Sequence, residues 1–237
     1  MLDIRNLTVV VDEKTVLEDI NLHVPDGALH VLLGPNGSGK SSLLAAIMGL
    51  PPYRVTEGEI LFDGRSLEGL SISDRAALGI GMAFQRPPSL NGVSVARFAE
   101  ALCSGDMLER EAEALDLTAF LNRDMNVGFS GGEIKRWEVL KLILQDPHLM
   151  LFDEPESGVD LEHVIAIGEA IRRAVRTPSR TGRSRSALVI THTGLILNHV
   201  DADMGHVIRN GRVLHSGDPH EIFAHIRAKG YTMPDVA

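Results

Sequence analysis

The segment Gly34–Ser41 constrains the fold of this chain more than any other. It reads GPNGSGKS and matches the phosphate-loop pattern, in which two glycines five positions apart are followed by Lys and Ser. The apolar run Leu29–Leu33 directly before it predicts a short buried strand, and Ser42–Leu50 directly after it reads as a helix. Strand, loop and helix in this order are the context that a phosphate loop requires. The sequence therefore predicts an α/β protein with a phosphate site at this loop.

Individual residues of the loop have distinct expected tasks. The glycines let successive backbone N–H groups turn toward the phosphates, and the helix N-terminus adds its positive dipole. Lys40 is expected to reach the β- and γ-phosphates of ATP, and the Ser41 hydroxyl is expected to bind Mg²⁺. The remaining candidate nucleotide-binding residues of the loop and its helix are Gly34, Pro35, Asn36, Gly37, Ser38, Gly39 and Ser42.

Hydrophobic periodicity changes twice along the chain. Strand-like patterns precede residue 93 and return after residue 145, with a helical pattern between them. We expect a single domain over residues 1–237, with the β subdomain and nucleotide-binding core at about 1–92 and 146–237 and a helical subdomain at about 93–145. The expected strands include Glu59–Phe62, Ile80–Phe84, Leu149–Phe152 and Leu188–Thr191, and the expected helices include Val95–Leu102, Leu108–Leu121, Glu133–Leu144 and Leu161–Val175.

Two adjacent carboxylates end one of the buried strands. Asp153 and Glu154 follow the apolar residues Leu149–Phe152, at the strand end where a doubly wound sheet exposes its ligand crevice. Because neighbouring strand residues point to opposite sides, Asp153 is expected to join the Mg²⁺ shell and Glu154 to polarise an attacking water. The alternative is a solvated strand end without a chemical role.

Composition and charge exclude several other functions. The formal net charge of −9 disfavours nucleic acid as a partner. No stretch approaches the roughly 18 consecutive apolar residues of a membrane span, and Met1–Asn6 lacks the features of a signal peptide, so we expect a cytoplasmic chain that does not insert into membranes. Cys103 is the only cysteine and cannot form an internal disulfide or a metal ligand set; we expect it to be a packing residue, with any metal cluster belonging to a partner.

The order of several motifs resembles that of the ABC ATPases. After the phosphate loop come Gln85, then Ser130-Gly131-Gly132-Glu133, then Asp153-Glu154, then the segment ending at Asp160, and finally His192. Ser130 and Glu133 also fit a capping box that opens a helix. The resemblance covers nearly the whole chain and implies an ABC-type P-loop NTPase with a RecA-like core, a β subdomain and a helical insert. It also implies ATP hydrolysis.

The resemblance further implies a head-to-tail homodimer formed with ATP. In that arrangement Glu154 is the general base, and Lys40, Ser41, Gln85 and His192 address the γ-phosphate and Mg²⁺, with Ser41, Gln85 and Asp153 as the metal-site residues. Ser130, Gly132 and Asp160 act across the dimer interface, and Gly131 and Glu133 belong to the same nucleotide-binding motif.

Within the superfamily, the segment Gly132–Leu140 (GEIKRWEVL) resembles the signature helix of SufC, the ATPase of Suf-type iron–sulfur cluster assembly. This implies work on a SufB-like scaffold, alone or with a SufD-like subunit. Many transporter motors carry an aromatic residue that stacks on adenine; in this chain Val11 occupies the corresponding position. The alternatives are the motor subunit of an ABC transporter, which Pro155 favours, and a nucleotide-sensing adaptor, against which Glu154 and His192 argue.

One connection departs from the expected pattern. Residues 177–186 form a long segment rich in Ser, Arg and Gly, which predicts a mobile, solvated loop. Its arginines Arg180, Arg183 and Arg185 are alternatively available for a partner.

Overall fold

The computed structural model describes residues 1–85, 87, 89–102 and 105–232. Cys103, with its expected packing role, lies outside the described residues. Within the described part of the chain, none of the helices combines the length and apolar character needed to cross a membrane.

A six-stranded sheet forms the centre of the molecule. Its strands are β3 (Leu29–Leu33), β6 (Ile80–Ala83), β9 (Leu149–Asp153), β10 (Ser186–Ile190), β11 (Met204–Arg209) and β12 (Arg212–Gly217). Their order is β12-β11-β3-β10-β9-β6, and all neighbours are parallel except β12, which runs antiparallel to β11. The predicted parallel sheet is confirmed. We did not expect β11 and β12.

A second, antiparallel sheet is built from the first part of the chain. Its order is β2-β1-β4-β5. The strands are β1 (Leu2–Val11), β2 (Lys14–Val24), β4 (Arg54–Phe62) and β5 (Arg65–Ser66). Buried residues alternate with more exposed ones along parts of β1 and β2, which is typical of strands with one buried face.

Helices cover both faces of the central sheet. They are α1 (Lys40–Met48), α2 (Ile72–Ala77), α3 (Val95–Glu100), α4 (Gly105–Ala114), α5 (Gly131–Gln145), α6 (Leu161–Arg176), α7 (Leu197–Val200) and α8 (Pro219–Lys229). The strand β3 shows how the two faces divide. Leu29, Val31 and Leu33 join the cluster with α5 and α6, whereas Leu32 joins the cluster with α1 and the antiparallel sheet. This strand is buried on both sides, which accounts for its unbroken apolar sequence.

The region between residues 93 and 145 is mostly helical but differs from expectation in two places. β7 (Leu90–Ser94) and β8 (Asp124–Met125) pair as a small sheet that is too short to show periodicity. The helix expected over Leu108–Leu121 ends at Ala114, because Asp116 takes a left-handed conformation (φ 51°) and the Leu117 N–H donates to the Ala112 carbonyl. A short 3₁₀ turn at Thr118–Phe120 follows.

Most of the segment expected to be a mobile, solvated loop is exposed, but specific contacts hold it in place and bury Ser179 and Arg185. Arg185 is 5% exposed and donates to the carbonyls of Ala174 and Thr177. It also contacts the Asp146 carboxylate, which accepts from the Arg180 backbone N–H at 2.8 Å. Serine, arginine and glycine content predicts solvation, but it does not reveal a buried acid elsewhere in the chain.

A buried histidine pair joins β3 to β11 and predicts a pH-dependent stability. His30 Nδ1 lies 3.0 Å from His206 Nε2, and His206 Nδ1 lies 2.7 Å from Ser216 Oγ. Burial lowers the pKa of each imidazole from 6.5 to about 4; the charge of Asp203 partly opposes this at His30.

Since the unfolded chain binds protons on these histidines below about pH 6.5 and the folded chain does so only near pH 4, we expect stability to fall between these values. The expected loss of unfolding free energy by pH 5 is about 2 kcal/mol for each imidazole, or about 4 kcal/mol for the pair, measured by urea unfolding at pH 7 and pH 5. The double variant His30→Leu/His206→Leu should lose most of this pH dependence, and His220→Asn on the exposed face of α8 should keep it. An unchanged pH dependence in the double variant would contradict the assignment.

Candidate nucleotide-binding site

The phosphate loop lies between β3 and α1, as predicted. Helix α1 begins at Lys40, and Gly39 precedes it with φ 107°. The positive φ favours glycine there, and a Cβ atom would also lie 2.7 Å from Leu17 Cδ2 and 3.1 Å from the Val16 carbonyl oxygen. The loop is thus fixed against β2 with its backbone open toward the solvent.

The Lys40 side chain is held inside the loop. It is 5% exposed, and its ammonium donates to the carbonyls of Gly34 (2.7 Å) and Pro35 (3.0 Å). Burial lowers the Lys40 pKa, and the nearby carboxylates of Glu154 and Asp153 oppose that shift. The amine therefore lies within a strongly polar site close to both acids.

Asp153 lies opposite the first turn of α1. Its Oδ1 accepts a hydrogen bond from Ser41 Oγ at 3.0 Å, and its backbone carbonyl accepts from Lys135 Nζ at 3.3 Å. Burial raises the pKa of the Asp153 carboxyl, with a further contribution from the charge of Glu154, while the Ser41 hydrogen bond lowers it. A hydroxyl and a carboxylate oxygen adjoin here, and both are ligand types that Mg²⁺ prefers.

Glu154 contacts two other residues that were proposed from the sequence, Gln85 and His192. Its Oε2 accepts from Gln85 Nε2 at 2.9 Å, and its Oε1 lies 3.4 Å from His192 Nδ1. The two acids do separate in space, but the reason differs from expectation: Asp153 is the last residue of β9, and Glu154 has already left the strand with φ 50°. The turn of the backbone, rather than strand alternation, directs Glu154 toward Gln85 and His192.

Most of the predicted nucleotide-binding residues of the phosphate loop, together with Gln85, Glu154 and His192, surround one cleft of about 750 Å³; Gly34, Pro35 and Asp153 do not line it. The predicted residues on its walls are Asn36, Gly37, Ser38, Gly39, Lys40, Ser41, Ser42, Gln85, Glu154 and His192. Sequence reasoning missed the other wall residues, which are Lys14, Thr15, Val16, Ser157, Asn210 and Gly211.

The missed wall depends on a close approach of three segments. The Gly211 N–H donates to the Ser38 carbonyl at 3.0 Å, and the Gly211 carbonyl accepts from the Glu18 N–H at 2.8 Å. A Cβ atom at Gly211 would lie 2.6 Å from the Val16 carbonyl oxygen. Val16 lines the cleft, whereas Val11 does not. The Asn-Gly pair at the β11–β12 turn was the available signal, since it marks a tight hairpin.

The motif residues expected to act across a dimer lie elsewhere. Ser130 is the N-cap of α5 and forms the predicted capping box with Glu133; the Ser130 N–H donates to the Glu133 carboxylate at 2.6 Å. Asp160 is the N-cap of α6 and is exposed, without a capping hydrogen bond from its side chain. Neither these residues nor Gly131 and Gly132 line the cleft. The described chain therefore brings together one set of site residues and leaves the other set on a separate surface.

A buried acid connects helix α5 to the residue before Gln85. Glu138 is 2% exposed; its Oε2 accepts from the Phe84 N–H at 2.9 Å, and its carboxylate contacts Lys141 Nζ at 2.6 Å. This links the helix that begins at Ser130 to the strand end that carries Gln85.

We expect Glu138→Ala to lower the free energy of unfolding by about 3 kcal/mol, because it leaves a buried N–H without its acceptor and a nearly buried lysine without its partner. Urea unfolding measures this loss. Glu113→Ala, on the exposed face of α4, is the matched control and should change stability little. Equal unfolding midpoints for the two variants would show that the Glu138 contacts do not stabilise the fold.

The comparisons with known proteins agree with this geometry. The family model described as "ABC transporter" matches residues 17–157. The chain is 37% identical over 235 residues to the probable ATP-dependent transporter SufC of Escherichia coli, covering 92% of each protein. It is 36% identical over 248 residues to the probable ATP-dependent transporter ycf16 of Cyanidium caldarium, covering 98% of this chain and 95% of that protein.

Among solved structures, a nucleotide-free ATP-binding cassette from an ABC transporter superposes with a TM-score of 0.78 at 21% identity, covering 99% of both chains. That likeness shows the fold, and the more similar curated relatives extend it to the family. The chain therefore belongs to the ABC ATPases, a family of ATP hydrolases, and its SufC-like relatives are found within that family.

Proposed function

We propose that this chain is the ATPase of a Suf-type iron–sulfur cluster assembly system. In this proposal it acts in the cytoplasm, binds ATP with Mg²⁺ in the cleft described above, and hydrolyses it in a head-to-tail homodimer. Dimer closure then drives conformational work on a SufB-like scaffold, alone or with a SufD-like subunit.

The hydrolytic part rests on the arrangement around Glu154. Its carboxylate is held by Gln85 and lies beside His192, so it is placed to accept a proton from a water that attacks the γ-phosphate. Lys40 supplies positive charge for the β- and γ-phosphates. Ser41, Asp153 and Gln85 would hold Mg²⁺, which when bound neutralises charge on the phosphate oxygens.

The dimer part rests on the separation of the two sets of site residues. Ser130, Gly132 and Asp160 lie outside the cleft formed by their own chain, yet all adjoin helix N-termini, which favour anionic phosphates. A second copy in head-to-tail orientation would bring them to the γ-phosphate side of the first. We propose that residues 93–145 act as the subdomain that carries Ser130 to the partner's site.

The assembly part rests on one observation, the construction of helix α5. The residues by which this helix resembles SufC are fixed in the fold: Glu133 completes the capping box, Arg136 donates to the carbonyls of Leu115 and Asp116, and Glu138 accepts from Phe84. The similarity to SufC over 92% of both chains supports the same assignment.

An anaerobic pull-down from the native host tests the proposal. The bait is tagged Glu154→Gln chain with ATP, and the captured proteins are identified and analysed for iron and sulfide. We expect a scaffold protein without membrane spans, captured in amounts that fall when Lys40→Ala bait is used. Failure to capture such a scaffold would contradict the assembly role.

The second candidate is the motor subunit of an ABC transporter. Pro155 after the two acids favours this alternative. The SufC-like relatives of this chain are also named probable ATP-dependent transporters. Capture of a multispanning permease in the same pull-down would establish this alternative and leave the ATP site as described.

A further inference from the structure

A second cleft, of about 630 Å³, lies between α4, the ends of α5 and α6, and the segment 177–185. It shares no wall residue with the nucleotide cleft. The nucleotide residues follow the carboxyl ends of β3, β9 and β10, whereas the segment 177–185 leads into the start of β10. The two clefts therefore lie at opposite ends of the parallel strands of the central sheet.

We call this second site the arginine cleft. Its apolar wall residues are Met107, Ala114, Ile143, Ala170, Ala174 and Pro178, and its arginines are Arg110, Arg173, Arg180 and Arg185. The acids among these groups are Glu111 on the wall and Asp146 behind Arg180 and Arg185. Four guanidinium groups against two carboxylates give a locally positive site in a chain whose net charge is −9.

Two of the arginines are fixed before any ligand arrives. Arg180 donates to the carbonyls of Leu102 (2.8 Å) and Leu144 (3.3 Å) and to Asp146 Oδ2 (3.1 Å). Arg185 donates to two carbonyls at the end of α6, and its buried Nε has no hydrogen-bond partner among the described residues. These contacts hold the two guanidinium groups in place as positive charges of the wall, with their N–H groups largely used within the protein.

The other two arginines share a single acid. Arg110 Nε lies 3.1 Å from Glu111 Oε1, and Arg173 Nη2 lies 3.1 Å from Glu111 Oε2. The Glu111 side chain is 10% exposed, whereas Arg110 is 70% exposed and Arg173 is 45% exposed. Each guanidinium has five N–H donors, so most of them remain directed to solvent and available to an added carboxylate.

We propose that the arginine cleft binds an acidic peptide segment of a partner protein. Carboxylates of the peptide pair with Arg110 and Arg173, and an apolar side chain rests on the wall formed by α4 and α6. The apolar wall favours a peptide over a small inorganic anion, since such an ion has no surface to bury there. The same apolar wall disfavours a nucleic acid, whose sugar–phosphate backbone has no apolar side chain to place there. This inference does not depend on which system the ATPase serves.

Fluorescence anisotropy tests the proposal with the full-length chain. The probe is a fluorescein-labelled peptide of repeated Glu-Glu-Leu, and the control probe has Lys in place of Glu. We expect the acidic probe alone to bind, and Arg110→Ala/Arg173→Ala to weaken its binding by about tenfold or more. Arg172→Ala is the matched control: it is the adjacent residue on α6, is 43% exposed, pairs with Asp201 and does not line the cleft.

ATP hydrolysis by both variants should remain at the wild-type rate, which shows that they are folded. Four results would overturn the proposal: no binding of the acidic probe, equal binding of the Lys probe, unchanged binding by the double variant, or stronger binding of an oligouridylate that the double variant abolishes. Displacement of the probe by sodium pyrophosphate as effectively as by unlabelled peptide would also overturn it, since the site would then be one for small anions.

Discussion

Glu154→Gln is expected to bind ATP and to hydrolyse it about 10²- to 10⁴-fold more slowly than the wild-type chain, because it loses the carboxylate that accepts the proton of the attacking water. The amide keeps the size of the side chain and can still contact Gln85. Binding and hydrolysis should therefore separate in this variant. Single-turnover hydrolysis measures the chemical step, and equilibrium binding of ATP measures the affinity.

The same variant tests the dimer. With ATP present and turnover blocked, the closed homodimer should persist, and light scattering after size exclusion should show twice the monomer mass. Glu169→Gln, an exposed acid on α6, is the matched control and should hydrolyse ATP at the wild-type rate. A monomeric Glu154→Gln chain that holds ATP would refute the roles of Ser130 and Asp160 across the interface.

Lys40→Ala is expected to weaken ATP binding by about 100-fold or more, because charge-assisted hydrogen bonds from one ammonium to two phosphates are lost together. Isothermal titration with ATP and Mg²⁺ measures the change. Lys229→Ala, exposed on α8, removes the same charge far from the cleft and should leave the affinity unchanged.

Lys40 gives a second readout that separates binding from folding. Its ammonium is buried and its pKa is lowered by that burial, so holding the charge in the nucleotide-free chain carries a desolvation cost. We expect thermal stability without nucleotide to stay the same or to rise in Lys40→Ala. A large loss of stability together with the loss of affinity would mean that Lys40 acts through the loop structure rather than on the phosphates.

The arginines of segment 177–185 show how composition alone can mislead. A run rich in Ser, Arg and Gly predicts solvent exposure, because each residue type is usually found at the surface. Asp146, the C-cap of α5, reverses this for Arg185, which it helps to bury, and it also pairs with Arg180, which stays exposed. The signal was present as an acid and several arginines, but nothing in their spacing showed that they meet.

Local chemistry made several features of this protein predictable from the sequence. The phosphate loop and the capping box at Ser130 form hydrogen bonds between residues a few positions apart, so the sequence spacing itself defines their geometry. Buried parallel strands were visible as apolar runs for a similar reason, since burial on both faces leaves no polar position.

Only the tertiary structure decided which of these features meet. Gln85 and Glu154 are 69 positions apart, and Phe84 and Glu138 are 54 positions apart, yet each pair is joined by a 2.9 Å hydrogen bond. The first contact follows from the strand order β12-β11-β3-β10-β9-β6, which places β6 beside β9, and the second follows from the packing of α5 against β6. Hydrophobic periodicity reports which face of a strand is buried but not which strand lies next to it. The motif residues of the site could therefore be named from the sequence, whereas their contacts and the wall at Val16 and Gly211 could not.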